Sequence, residues 1–421
     1  MKTTKLAVAA FLLFVGEAFA ASAVSDVIAR QRWPWSGKVD IDYTVTGDTT
    51  DVDFTATWDG QPTPVLLGTA FRVEAGQHRF EFDPAAAGLA DRTTTGFAVT
   101  AQVVGFDAHR YLVLDLVNGG YSYLSEPPAG GWTDEHKSTK MVFARIPAGT
   151  ATLGHPKEML EHLWPGLDSH YCTIQAERTV TYTEDFYMGV HKFTQAQYGQ
   201  LVNGTPGGSH AAKTVSYYAL RGATNANEQA NVDWPSTGYK VAPDSIVALL
   251  RAKANGALVI DLGEEEQWEY AARCHTTTYW PNGGAITDSL STLTNVVSEI
   301  ASWYHDPNPG VPKIPNQWGL HDVVGGGSEW TLTCAPQKNS TGPLPRYGRS
   351  GGTDSVGPLH TGNYNDYDAR RVIRSGSGNY ASATLFTLSI CTRQIVNPAS
   401  TSTATTRFCI HLKPLDFNEH N

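Results

Sequence analysis

The sequence predicts an all-β domain followed by an α+β domain. Three observations carry this fold class: a front stretch that alternates with period two and shows no helical pattern, a Pro- and Gly-rich linker, and a back half in which a few short amphipathic helices sit among loops. Ahead of both, residues 1–20 read as a leader. Lys2 and Lys5 form its positive start, Leu6 to Val15 its apolar stretch, and Ala18-Phe19-Ala20 a small-x-small cleavage site. The expected location is secreted or periplasmic. The apolar stretch is too short to span a bilayer, and nothing later supplies the roughly 18 apolar residues that a span needs, so no membrane span is predicted.

The front domain, residues 21–124, is expected to be a β-sandwich. Val39, Ile41, Tyr43 and Val45 alternate with Lys38, Asp40, Asp42 and Thr44, and Val52, Phe54, Ala56 and Trp58 alternate with Asp51, Asp53, Thr55 and Thr57. Turn signals at Gly47-Asp48 and Asp59-Gly60 separate these runs. Further strand candidates lie at Phe71–Val73, His78–Phe82, Phe97–Val103 and Tyr111–Leu116. No cluster of His, Cys or carboxylates lies among them, which suits a spacer, docking or assembly role. Ser125-Glu126-Pro127-Pro128-Ala129-Gly130-Gly131 opens a linker over 125–140.

In the back half, Thr194 with Gln197 forms a capping box, Phe193 and Tyr198 a hydrophobic staple, and Gly204 a stop. A second helix is predicted from Asp244 or Ser245 to Asn255-Gly256, with Ile246, Leu249 and Leu250 inward. Leu258-Val259-Ile260 is a short strand, and Glu264 to Arg273 a third helix whose acidic start and terminal Arg suit the helix dipole. The consecutive Glu264, Glu265 and Glu266 are expected on a solvated face, because burying three carboxylates is costly. Beyond His275 loops dominate.

Composition narrows the function. The net charge is −10 and only 17% of residues are charged, so no basic surplus exists for phosphate contacts, sequence-independent nucleic-acid binding is disfavoured, and no nucleic-acid partner is expected. The five cysteines (Cys172, Cys274, Cys334, Cys391 and Cys409) would meet an oxidising compartment after export, where an odd number leaves a thiol unpaired or pairing between chains. None are spaced C-x-x-C, so structural zinc and thioredoxin-like chemistry find no support. His170-Tyr171-Cys172, His305-Asp306 and His321-Asp322 read as loop hydrogen-bonding pairs.

Taken in order, Ile146–Thr150, Asp185–Val190 with Phe193–Tyr198, Glu265–Arg273, Trp318–Gly325 with Glu329–Thr331, and Arg371–Arg374 with Gly376-Ser377 resemble the formylglycine-generating enzyme, or sulfatase-modifying factor, domain family. The resemblance covers residues 141–415 and implies a C-type-lectin-like fold. Family enzymes oxidise a sulfatase Cys with O₂ on copper held by two thiolates, soft ligands that suit Cu(I). Here Tyr380 and Leu385 occupy the thiolate positions, so copper and formylglycine formation are not expected. Cys391 lies six residues past the second position, and Cys409 falls where the family often carries a Cys that is not a ligand. Other family enzymes are non-haem iron oxygenases with histidines from a helical bundle, whereas His78 and His109 are the only histidines of this front domain.

The family's Gly-Asn-x-Trp-Glu-Trp loop supplies oxygens to calcium; here it reads Gly325-Gly326-Gly327-Ser328-Glu329-Trp330. With the Asn gone, the resemblance implies a calcium site of reduced affinity at Gly326, Ser328 and Glu329, and Glu329 is equally readable as a buried carboxylate tied to backbone amides. The family's Leu-Pro-Thr ahead of the acidic helix is Leu262-Gly263-Glu264, which predicts a looser start. From Ser375 to Thr406 the chain is rich in Ser, Thr and Ala, with Arg393 its only charge. Ser377, Tyr380, Phe386 and Arg393 are the candidate contacts of an extracellular glycan or protein ligand. The expected function is a non-oxidising binding or assembly module. The alternative is an oxidoreductase of the family acting through an unmapped site.

Overall fold

The computed structural model describes residues 21–32, 36–84, 95–154, 177–222, 241–283, 290–303, 313–334, 352–354, 371–376, 388–390, 393–397, 399–401 and 404–412. The leader (1–20), Cys172, His170, His305, Asp306, Ser377, Tyr380, Leu385, Phe386 and Cys391 lie outside the described residues. The chain forms two compact units, the first made of residues 1–84 and 89–105, the second of 85–88 and 106–421.

In the first unit, strands β1 (Ala23–Gln31), β2 (Val39–Thr46), β3 (Thr50–Trp58), β4 (Gln61–Val73), β5 (Gly76–Phe82) and β6 (Ala98–Val104) form two antiparallel sheets, ordered β1-β2-β5 and β4-β3-β6. The alternation places Ile41, Tyr43, Val52 and Phe54 inside, so that each strand buries one face. Tyr43 of one sheet meets Phe54 of the other edge-on at 5.0 Å, and Phe54 stacks on Phe80 at 4.5 Å. Gly68 is required there: a Cβ would come within 2.6 Å of the Phe80 ring. On the outer face, Asp40 and Asp42 pair with Arg32 and Arg79.

The second unit continues with β7 (Tyr111–Asp115), β8 (Tyr121–Leu124), β9 (Lys140–Ile146), β10 (Gly149–Leu153), β11 (Arg178–Tyr182) and β12 (Phe186–Gly189). Three helices follow, α1 (Gln195–Asn203), α2 (Tyr217–Arg221) and α3 (Ile246–Lys253), then β13 (Val259–Leu262), α4 (Glu265–Arg273) and α5 (Leu290–Ile300). The last strands are β14 (Ser328–Cys334), β15 (Gly352–Thr353), β16 (Arg371–Arg374), β17 (Arg393–Val396), β18 (Ala404–Thr405) and β19 (Phe408–His411). They assemble as β13-β19-β12-β9-β7-β8, β17-β16-β14-β18 and β10-β11-β15. This is a mixed, sheet-rich unit with few helices.

The division falls earlier than the pattern along the chain implies. β7 and β8 continue the period of the front strands, yet β7 pairs with β9 from Tyr111↔Ala144 to Asp115↔Lys140, across the expected linker. An expected boundary at 124/125 therefore cuts through one sheet. Alternation reports that a strand has one buried face, and is silent on which sheet buries it.

Helix α1 starts as its capping box predicts. Thr194 Oγ1 accepts from the Gln197 amide at 3.0 Å, Gln197 Oε1 accepts from the Thr194 amide at 3.0 Å, and Gly204 closes the helix at φ 75°. The start of α4 is held by a different device from the expected loose turn. Thr333 Oγ1, reaching over from β14, accepts from the Glu265 amide at 2.9 Å and lies 2.6 Å from Glu264 Oε2, to which it donates. Gln267 Oε1 accepts from the Glu264 amide at 2.9 Å.

Candidate functional site

Two charged clusters meet on α4, and both are buried. Glu264, Glu265 and Glu266 are 0%, 1% and 0% exposed, against the expectation of a solvated face. Arginines from other strands make this possible. Arg374 of β16 bridges Glu265 and Glu269, donating to each at 3.0 Å; Arg393 of β17 donates to Glu265 at 2.8 Å; Arg178 of β11 donates to Glu266 at 2.6 Å. Arg273, one turn below, donates to Glu269 at 2.8 Å, and the Gly154 amide reaches the same oxygen at 2.8 Å. Burial opposes the Glu269 charge, but Arg273, Arg374 and Arg178 outweigh it and hold the carboxyl well below its usual range. The desolvation cost of α4 is thus offset by arginines far away in sequence.

Arg393 was expected on a ligand-binding surface. Its guanidinium is instead committed to Glu265 at 1% exposure, so it faces the interior. Ser377, Tyr380 and Phe386, the other proposed ligand contacts, lie outside the described residues, as do Tyr380 and Leu385 in their role as thiolate positions.

The second cluster surrounds Glu329. The loop ahead of it is pinned to the end of α4 by Asn316, whose amide donates to the Ala271 carbonyl at 2.8 Å and whose Oδ1 accepts from the Trp318 and Leu320 amides. Gly325, Gly326 and Gly327 all carry positive φ (75°, 61° and 103°). A Cβ on Gly325 would lie 3.0 Å from the Ser302 carbonyl, and one on Gly327 3.0 Å from the Thr405 methyl. The triple glycine is a steric requirement of the turn.

Within this turn Glu329 is fully buried. Its Oε2 accepts from Trp268 Nε1 at 2.9 Å and from Arg407 Nε at 3.2 Å, and its Oε1 from Lys192 Nζ at 2.5 Å and Arg407 Nη2 at 3.2 Å. Side chains, not backbone amides, tie this carboxylate. Arg407 also donates to the carbonyls of Gly189, Val190 and His321 at 2.6, 2.9 and 2.6 Å, joining β12 to the loop. Lys192 donates further to the Gly327 carbonyl at 2.9 Å and to Ser375 Oγ at 3.3 Å. Burial works against the Glu329 charge, yet Arg407 and Lys192 keep its carboxyl below the usual range; burial lowers the Lys192 ammonium, with Glu329 pulling it back up.

Calcium requires six to eight oxygens at 2.3–2.6 Å. Both Glu329 oxygens and the Gly327 carbonyl are taken by cationic or indole donors. The Gly326 amide donates to Ser302 at 3.2 Å, and the Ser328 carbonyl accepts from Thr405 Oγ1 at 2.8 Å. These residues do not fit a calcium ion while Lys192 is in place. Among the described residues no three His, Cys, Asp or Glu side chains converge as a metal site.

Neither described free thiol is poised as a thiolate. Cys409, in β19 between β13 and β12, is buried and pushed well above its ordinary pKa; burial pushes Cys274 up to about 12.

The order of these segments is that of a known domain: residues 132–399 match the model of the sulfatase-modifying factor enzyme 1-like domain. The chain belongs to that family. No curated protein matches the sequence. Among solved structures, the family member is similar to PvdO from Pseudomonas aeruginosa at 15% identity and a TM-score of 0.40, over 67% of this chain and 97% of that one. Within the family's most characteristic helix and loop, sequence reasoning found Glu329 but not its partners. Lys192 sits between His191 and Phe193 with no motif around it, and the only signal it offered was a charge next to a helix staple in a chain poor in charge.

Proposed function

We propose that this chain is an exported, non-oxidising member of its family, in which a C-type-lectin-like domain behind a front β-sandwich serves as a ligand-binding or assembly module. The observation that carries this reading is the occupancy of the two positions where the resemblance puts copper thiolates: Tyr380 and Leu385 have no sulfur to offer. The raised thiols of Cys274 and Cys409 support it, since a cysteine binds copper as its thiolate. The segment from Ser375 to Thr406 would present the ligand through Ser377, Tyr380 and Phe386, with an extracellular glycan or protein as partner. Arg393, paired with Glu265, would hold the segment in place rather than touch the ligand.

Incubating the purified protein with Cu(I) and a Cys-x-Pro-x-Arg peptide under O₂ tests the non-oxidising half. No formylglycine product is expected, and stoichiometric copper with product would return the chain to the oxidoreductases. Glycan and protein arrays test the binding half. Retention that Tyr380→Ala and Phe386→Ala abolish is expected, and silence on both arrays counts against it.

A further inference from the structure

The oxygens that turn toward one another in the Gly325–Glu329 loop already surround a cation, and it is part of the chain. Lys192 Nζ lies 2.9 Å from the Gly327 carbonyl, 2.5 Å from Glu329 Oε1 and 3.3 Å from Ser375 Oγ. An ammonium has three protons to donate, and these three oxygens take them. Asp322 lies on the same side: a Cβ on Gly326 would touch Lys192 Cε at 3.4 Å and Asp322 Cβ at 3.9 Å, and the Asp322 charge favours the ammonium. Ser375 is held at φ 83°, a conformation that L-residues seldom adopt, and its hydroxyl donates to the Gly325 carbonyl at 3.2 Å while accepting from Lys192. A carboxylate and a carbonyl of this loop and a hydroxyl from a distant stretch thus converge on one buried positive centre.

We infer that the Lys192 ammonium occupies the place in this loop that a divalent cation would otherwise take, so that the loop folds without calcium. The three oxygens are of the hard type that a divalent cation takes, but a second cation beside Lys192 would meet like-charge repulsion among buried groups. The inference stands apart from the proposed function, since a binding module and an oxidoreductase could each carry it.

The test uses the full chain, calcium chloride and a chelator. The wild-type melting temperature is expected to be the same in chelator and in millimolar calcium, with no calorimetric heat of calcium binding. Lys192→Ala is expected to melt several degrees lower in chelator, and to recover part of that loss when calcium is added, because removal of the ammonium frees Glu329 and the Gly327 carbonyl for the ion. A wild-type protein that binds calcium with a rise in melting temperature overturns the inference, as does a folded Lys192→Ala variant that calcium leaves unmoved. Should Lys192→Ala fail to fold, the wild-type titration decides alone: a flat titration supports the inference and a stoichiometric heat overturns it.

Discussion

His191 stacks on His321 with ring centroids 4.7 Å apart, directly beside Lys192, and its Nε2 is buried with no hydrogen-bond partner among the described residues. Burial, reinforced by His321 and nearby cations, pushes the His191 imidazolium down to about 2; burial lowers His321 as well. Unfolded, each ring takes up a proton near 6.5. Below that pH the unfolded state binds protons that the folded state refuses, so the stability due to the neutral rings is complete above 6.5 and is lost as the pH falls toward the folded values. Urea unfolding between about pH 7 and about pH 5 should therefore show stability falling with acidity, by up to about 1.4 kcal/mol per pH unit for each such ring. His191→Phe is expected to remove one ring's share of that slope. A wild-type profile flat over this range contradicts the assignment.

At the scale of the element, α4 shows why local sequence misleads about environment. Three consecutive glutamates at a helix start read as a wet face because an unpaired buried carboxylate is untenable. They are buried because Arg178, Arg374 and Arg393 arrive from β11, β16 and β17, at sequence separations of 88, 109 and 128 residues. No periodicity within the helix carries that information. Glu265→Gln should cost about 3–5 kcal/mol in urea unfolding, the usual cost of stripping one partner from a buried ionic cluster, because it leaves Arg374 and Arg393 short of an anion. A loss below about 1 kcal/mol would mean that the cluster is wet. By contrast, α1 was readable down to its capping box, staple and stop, since each of these contacts spans only a few residues.

For the whole molecule, the division between units rests on strand pairing. β7 is flanked by β8 and β9 in a six-stranded sheet, with Leu112 and Leu114 fully buried. A fragment starting at Phe106 keeps this sheet and is expected to be soluble and to unfold cooperatively. One starting at Ser125 loses β7 and β8 and bares the edge of β9, and should aggregate; size-exclusion chromatography and near-ultraviolet circular dichroism distinguish the two. β1 escaped the sequence altogether. Its residues are mostly exposed and its pairing with β2 shifts register between Ser25 and Ile28, so it carries no clean alternation.

The chain alone announces its strands with one dry face, its helix caps and its Gly-rich loop, because these are properties of residue identity and of neighbours a few positions apart. Sheet membership, the arginines that make α4 buriable, and the lysine at the heart of the Glu329 loop come only with the fold. Each depends on residues tens to hundreds of positions apart meeting in a low-dielectric interior, where a charge is held by the partner that reaches it and not by the sequence on either side.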